Sequence, residues 1–359
     1  MNVLSIVMAS FAVLGILDRI IGNKFGLGKE FEKGFLLVGE LALSMMGMII
    51  VAPIIANLLS DFFNFVYDTL MVEPSIIPAS LFANDMGGAS LAKEIAQNSV
   101  LGMYNAMVVA SMMGATVSFT IPFALNCLKK EKHSDLLLGL LCGIVTIPVG
   151  CIVAGVICKI NFVSLVLNLL PLIIFAVIVA VGLLVVPNVC IKLFNVLGVV
   201  IKIIISIGLV LAIIEILFQK KPIALAGDAY EAAQICINAA VVMSGAFPLL
   251  FVISKIFAKP MVALGQLLKI NSTATLGFVS TLANNVTTFE MMDRMDQKGA
   301  ILNSAFAVSA SFVLADHLAF TLAFEPSYIA PMMVGKIISG LSAILFALLI
   351  YKKIKKTVA

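Results

Sequence analysis

Phe82-Ala83-Asn84-Asp85 and, two hundred residues later, Leu282-Ala283-Asn284-Asn285 interrupt an apolar chain with amides and a carboxylate. Each lies inside a segment, 72–98 and 270–298, made of a short apolar stretch, a polar break and a short amphipathic stretch. Such a run is too short to cross a bilayer as one helix and too apolar for a solvated loop. A broken or re-entrant helix resolves both difficulties. Irregular backbone at membrane depth is tolerated only against protein or a water-filled cavity.

Around these segments the chain is 62% hydrophobic and only 12% charged over 359 residues. That is about half the charged share of a soluble domain. The mean hydropathy of +1.16 agrees. Nine long apolar runs are visible, at roughly 3–21, 34–59, 99–126, 135–158, 161–186, 192–218, 230–256, 299–324 and 328–351. The sequence therefore predicts an all-α polytopic membrane protein of about 9–11 transmembrane helices, the two broken segments included. No room is left for a soluble catalytic domain. The apolar N-terminus lacks a basic flank and a small-residue cleavage site, and reads as a retained first span.

Several function classes fall away. The net charge of +4 sits at helix ends, with no basic stripe interleaved with aromatics, so no nucleic-acid partner is expected. No Walker A, H-E-x-x-H or G-x-S-x-G motif occurs. The six cysteines form no C-x-x-C pair and read as small hydrophobes. We expect no enzyme, metal or cofactor. Lysines of 129–133 and of the tail (Lys352, Lys353, Lys355, Lys356) place the C-terminus in the cytoplasm, and the acidic 60–98 segment outside. Lys220 and Lys221 run against this assignment. Gly139 and Gly143 form a small-residue pair suited to packing within or between protomers, and a homodimer is the expected assembly.

The two breaks also suggest a duplication. Residues 82–85 match 282–285 at an offset of 200, Ser118–Phe123 match Ala319–Phe324 at 201, and Ala52-Pro53 match Phe247-Pro248 at 195. The implied units are 1–158 and 191–359, joined by a connecting span at 159–190. Five spans separate equivalent elements, which would invert the second copy relative to the first. Inverted repeats with broken helices meeting near the midplane recur among secondary transporters.

Ionisable residues at depth are functional candidates by default. Here they are Glu40, Asp85, Glu290 and Asp316, with His317 beside Asp316 as a candidate proton relay. Asn84, Asn105, Asn284, Asn285, Thr287 and Thr288 add amides and hydroxyls. Each acid also has an ordinary role open to it: Asp85 suits capping the short helix that follows, and Glu290 suits a solvated face. Acids outnumber bases at depth, which favours a cation. There is no Trp to build an aromatic cage. Carboxylate, amide and carbonyl oxygens instead suit the N–H donors of a small primary ammonium, and would suit Na⁺ or H⁺ too.

Leu81–Gly88, Ser111-Met112-Met113-Gly114, Ser118–Pro122, Ala283-Asn284-Asn285, Phe289-Glu290 and Ala315–Phe320 resemble the bacterial ethanolamine-utilisation permease family over nearly the whole chain. The resemblance implies an ethanolamine transporter of the cytoplasmic (inner) membrane. It carries no residue roles with it, so the candidate site rests on the residues above. Facilitated diffusion of the protonated amine is the expected mode. An ion-coupled carrier of another polar solute, such as an amino acid, and a non-transporting scaffold or enzyme remain open.

Overall fold

The computed structural model describes residues 3–358 and holds no strand among them. Residues 1, 2 and 359, the outer ends of the two expected repeat units, and the side chains of Lys130, Lys355 and Lys356 lie outside the described residues. Helix α1 (Val3–Ile20) leads into α2 (Leu27–Leu41), which passes through a π-helical turn into α3 (Gly47–Leu58), followed by α4 (Ser60–Leu70). A first hairpin is built from α5 (Ile76–Leu81) and α6 (Gly88–Ile95). Helix α7 (Ser99–Tyr104) widens into π-helix over Asn105–Gly114 and Thr116–Thr120 before α8 (Ile121–Cys127). Then come α9 (His133–Ile157), α10 (Phe162–Val185), α11 (Pro187–Phe218) and α12 (Ala229–Leu268). A second hairpin pairs α13 (Ser272–Ala283) with α14 (Asn285–Glu290). The chain closes with α15 (Gln297–Ala310), α16 (Asp316–Phe324) and α17 (Ile329–Val358).

Local chemistry sets these boundaries. Asn98, Asn161, Asp228, Asn271 and Asp296 each accept a backbone N–H in the first turn of the helix they precede. Such caps satisfy donors that a helix start leaves orphaned. Pro187 opens α11, where its fixed φ costs nothing. Among the described residues seven helices are long and apolar enough to cross a membrane. The other two expected spans are α1 and the α15–α16 pair.

That pair corrects the sequence reading of 299–324 as one helix. The chain unwinds over 311–315, and Phe312 adopts a left-handed φ of 62°. Two freed amides find carbonyls on the other broken segment: Phe312 N donates to Thr281 O at 3.2 Å, and Leu314 N to Leu282 O at 2.9 Å. These long-range bonds satisfy backbone groups that an unwound membrane segment cannot leave bare.

Small residues let the central helices approach. A side-chain carbon on Gly139 would lie 2.4 Å from the Ile301 carbonyl oxygen, and one on Gly143 2.5 Å from Val308. The glycine pair is thus spent on α9–α15 packing inside one protomer, and no longer supports the expected homodimer. Helix α12 packs against both α1 and α2, α3 packs against α11, and α9 packs against α17.

Each hairpin ends where it began. Buried Glu73 accepts the amides of Gln97 at 3.1 Å and Asn98 at 2.9 Å. In the second hairpin Asp296 accepts the Asn271 amide at 2.8 Å, and the Asn271 side chain donates to Arg294 O at 2.8 Å. A carboxylate therefore ties both mouths. Glu73→Ala strands two inward-facing amides and is expected to cost about 2–3 kcal/mol. Thermal unfolding in detergent checks this against Glu94→Ala, whose side chain is exposed. Equal melting temperatures in the two variants would rule out the tie.

Candidate functional site

The first break is made from backbone. Phe82 and Ala83 are extended, and Gly87 turns the chain at φ 95° into α6. The Ala83 amide donates to Ser118 Oγ at 3.1 Å, and Ser118 donates in turn to Gly114 O at 2.7 Å. Gly114 lies so close that a side-chain carbon there would sit 1.9 Å from the Phe82 carbonyl oxygen. The π-helical wall thus presses directly on the unwound segment, which presents Asn84 and Asp85. Neither short helix at this break has a side-chain cap hydrogen bond, so the capping role open to Asp85 is not taken up.

Across from this tip, α16 starts at Asp316. The His317 ring reaches back, with Nε2 3.8 Å from Asp85 Oδ1. The second tip mirrors the arrangement with neutral groups: Asn285 Nδ2 donates to Thr120 Oγ1 at 3.0 Å. Each hairpin tip therefore touches the irregular span of the other half of the chain. Phe119, Phe312 and His317 form an aromatic row between the tips, with centroid separations of 5.6 and 5.2 Å.

The polar chemistry here is incomplete. Both polar atoms of Asn84, Oδ1 of Asn285, Nδ1 of His317 and Oγ1 of Thr321 are buried without a hydrogen-bond partner. Buried polar groups are ordinarily satisfied, so orphans at the two tips and on the helix facing the first of them are candidate contacts for a ligand or water, although Asn23, Glu215 and Asn303 carry orphaned oxygens elsewhere. Asp85 and Asp316 are partly accessible among these buried neighbours, and the two acids act on each other electrostatically. Amide and hydroxyl oxygens plus partly accessible carboxylates can replace the water around a small cation. Among the described residues no three His, Cys, Asp or Glu side chains converge as metal ligands.

Of the residues singled out from sequence, Asp85, Asp316 and His317 come together, with Asn84 on the same tip as Asp85, while Asn285 sits at the second tip against Thr120. The others separate, for physical reasons. Asn105 exchanges hydrogen bonds of 3.1 and 2.8 Å with Asn168 and donates to Ser75 Oγ, which ties the π-helix to α10. Thr288 is spent between Gly277 O and Thr281 Oγ1 inside the second hairpin. Asn284, Thr287 and Glu290 share the exposed face of α14, opposite Asn285 and Thr288, and Asn284 caps that helix. Glu40 is exposed on α2 and reaches Asp316 only through its field. Sequence reasoning passed over Thr120 and Thr321, although the 118–123 and 319–324 match pairs them. Lys336 too was not among the candidates. Lys336 is 1% exposed, donates to the Ser111 carbonyl and interacts with Asp85.

The family described as "Ethanolamine utilisation protein, EutH" matches residues 1–350. The chain belongs to the EutH family. The probable ethanolamine permease EutH of Listeria monocytogenes serotype 1/2a (strain 10403S) is 43% identical over 337 residues, covering 94% of this chain and 90% of the relative. The protein of the same name in Salmonella typhimurium is 36% identical over 390 aligned positions, covering 98% of this chain and 96% of the relative. The uncharacterized protein YxeR of Bacillus subtilis (strain 168) is 34% identical over 337 residues. No solved structure matches the chain. As an EutH-family protein it is a multi-pass membrane transporter, and the two hairpin tips lie within that EutH match.

Proposed function

We propose that this chain is a permease for ethanolamine, taken up as the protonated ammonium by facilitated diffusion across the bacterial cytoplasmic membrane, with the C-terminus inside. The observation that carries the reading is the set of unpartnered buried polar atoms on Asn84, which adjoins Asp85, and on His317 and Thr321 of the helix that Asp316 opens, with a further orphaned oxygen on Asn285 at the second tip. Stripping water from an ammonium costs many kcal/mol unless an anion and oxygens take its place. The two carboxylates supply the anion, and the orphaned amides and hydroxyl supply partners for the ammonium and the substrate hydroxyl. Three relatives at 36–43% identity bear the name probable ethanolamine permease, which agrees.

We read the two hairpins as re-entrant elements of an inverted repeat. The carboxylate at each mouth supports this, as does the cross-pairing of each tip with the other half's irregular span. An inside-negative potential is worth about 2.3 kcal/mol per charge per 100 mV, enough to concentrate a monocation roughly fiftyfold without a coupling ion. Purified protein in vesicles decides the matter. Labelled ethanolamine is expected to enter saturably, faster with an inside-negative potential, and to be displaced by cold ethanolamine but not by choline or alanine. Displacement by alanine alone would make the chain an amino-acid carrier. Uptake that tracks a proton gradient and ignores the potential would replace facilitated diffusion with proton coupling.

A further inference from the structure

Among the described residues Lys336 is the one lysine or arginine that is fully buried. It sits on α17, and its ammonium donates to the Ser111 carbonyl in the π-helix. Ser111 lies three residues before Gly114, the position pressed against the Phe82 carbonyl at the first break. The lysine is thus held by backbone on the π-helix that presses on the first hairpin, and Asp85 at that tip acts on it electrostatically. A buried cation without an anion is heavily penalised. An acid between two cations must divide its charge between them.

We propose that Lys336 is a built-in ammonium that neutralises one of the two acids at the tips, so that the site accepts one monovalent cation and rejects dications. Two carboxylates, Asp85 and Asp316, and one ammonium leave a single net negative charge. His317 lies against Asp85, its Nε2 3.8 Å from Oδ1, and Glu40 contributes field from its exposed position on α2. One protonated amine balances that remainder. A diammonium of the same length would meet Lys336 with its second charge. Lys336 is in this sense a specificity-determining residue that acts through charge balance.

This inference rests on the ammonium reading of the site, and its test separates the two. The first arm needs no substrate. Melting temperatures of the full chain in detergent are compared for wild type, Asp85→Asn, Lys336→Gln and the double variant. Each single change is expected to lower the melting temperature, and Asp85→Asn/Lys336→Gln is expected to recover most of the loss. Additive losses in the double variant would overturn the pairing. If Lys336→Gln alone does not fold, folding of the double variant is the same rescue, and its failure to fold overturns the pairing equally.

The second arm uses ethanolamine and 1,3-diaminopropane as competitors of labelled ethanolamine uptake in vesicles. Lys336→Gln is expected to raise the diamine's potency relative to ethanolamine by about tenfold or more. Uptake lost in Asp85→Asn is expected to return by about tenfold in the double variant, where Asp316 again leaves one net negative charge. A diamine-to-ethanolamine ratio unchanged within about twofold sinks the charge-balance assignment. If the melting cycle shows coupling while the wild type carries no ethanolamine, the substrate reading fails and the Lys336–Asp85 pair stands.

Discussion

Asp316→Asn lowers ethanolamine uptake at sub-saturating substrate by at least about thirtyfold, because a buried ammonium loses its counter-charge while Lys336 stays. Truncating one partner of a buried, hydrogen-bonded charge pair costs about 2–5 kcal/mol, and the low end of that range is already about thirtyfold in affinity. Asp316 opens α16 at the unwound stretch 311–315 and is partly accessible, while His317 and Thr321 on the same helix are buried. Asparagine keeps the shape and an acceptor oxygen, so the helix start is preserved while the charge is lost. The measurement is initial uptake in vesicles, normalised to protein that elutes as a single species. Glu231→Gln, exposed in the first turn of α12, is the control for loss of any carboxylate. Near wild-type uptake in Asp316→Asn would remove Asp316 from the site.

The second large effect falls on a residue with no polar atom in its side chain. Gly114→Ala places a methyl 1.9 Å from the Phe82 carbonyl oxygen and 2.7 Å from that of Ala79. Both obstacles are backbone, so no rotamer change relieves the clash, and either the π-helix or the hairpin must move. Overpacking a tight contact costs about 1–3 kcal/mol, and a clash with backbone on this scale belongs at or above the top of that range. The expected result is a yield of folded protein reduced severalfold and a melting temperature well below wild type. Gly198→Ala serves as the reference, since nothing lies within 4 Å of a side-chain carbon there and alanine favours the helix. If both alanine variants melt together, the break is not held against the π-helix.

The spans were legible because lipid demands a simple signal, about twenty apolar residues in a row. The runs 135–158, 161–186 and 192–218 correspond to α9, α10 and α11 within a few residues. The hairpins were legible for the converse reason: 72–98 and 270–298 failed the same test. The break at 311–315 was not. It contains no proline or glycine, and its freed amides are satisfied by Thr281 and Leu282, some thirty residues away in sequence. Composition around 311 carries no trace of that arrangement. The mid-span Asp316-His317 pair was the available hint, because a charge at that depth asks for an irregular backbone nearby.

The candidate residues divide in the same way. Asn84, Asp85 and Asn285 were found because they stand at breaks, where side chains have room to face a ligand. Asn105 was polar and deep too, but Asn168 on α10 answers it hydrogen bond for hydrogen bond. A single sequence cannot show which buried amide has a mate. Lys336 posed the same ambiguity in reverse, since only packing tells a snorkelling lysine from one locked against Ser111.

The π-helical stretch from Asn105 to Thr120 bears on how this span tolerates changes in chain length. A π-turn holds one more residue than an α-turn. Span three runs 29 residues from Ser99 to Cys127, which as regular α-helix would measure about 43 Å against a hydrocarbon core of about 30 Å. Wide winding takes up part of that excess. It also makes the span forgiving of deletions: removing one residue inside the stretch returns a turn to α geometry, and Ser118 and Thr120 keep their facing toward the two breaks. In the regular helices α9 and α17 the same deletion rotates every later side chain by about 100°.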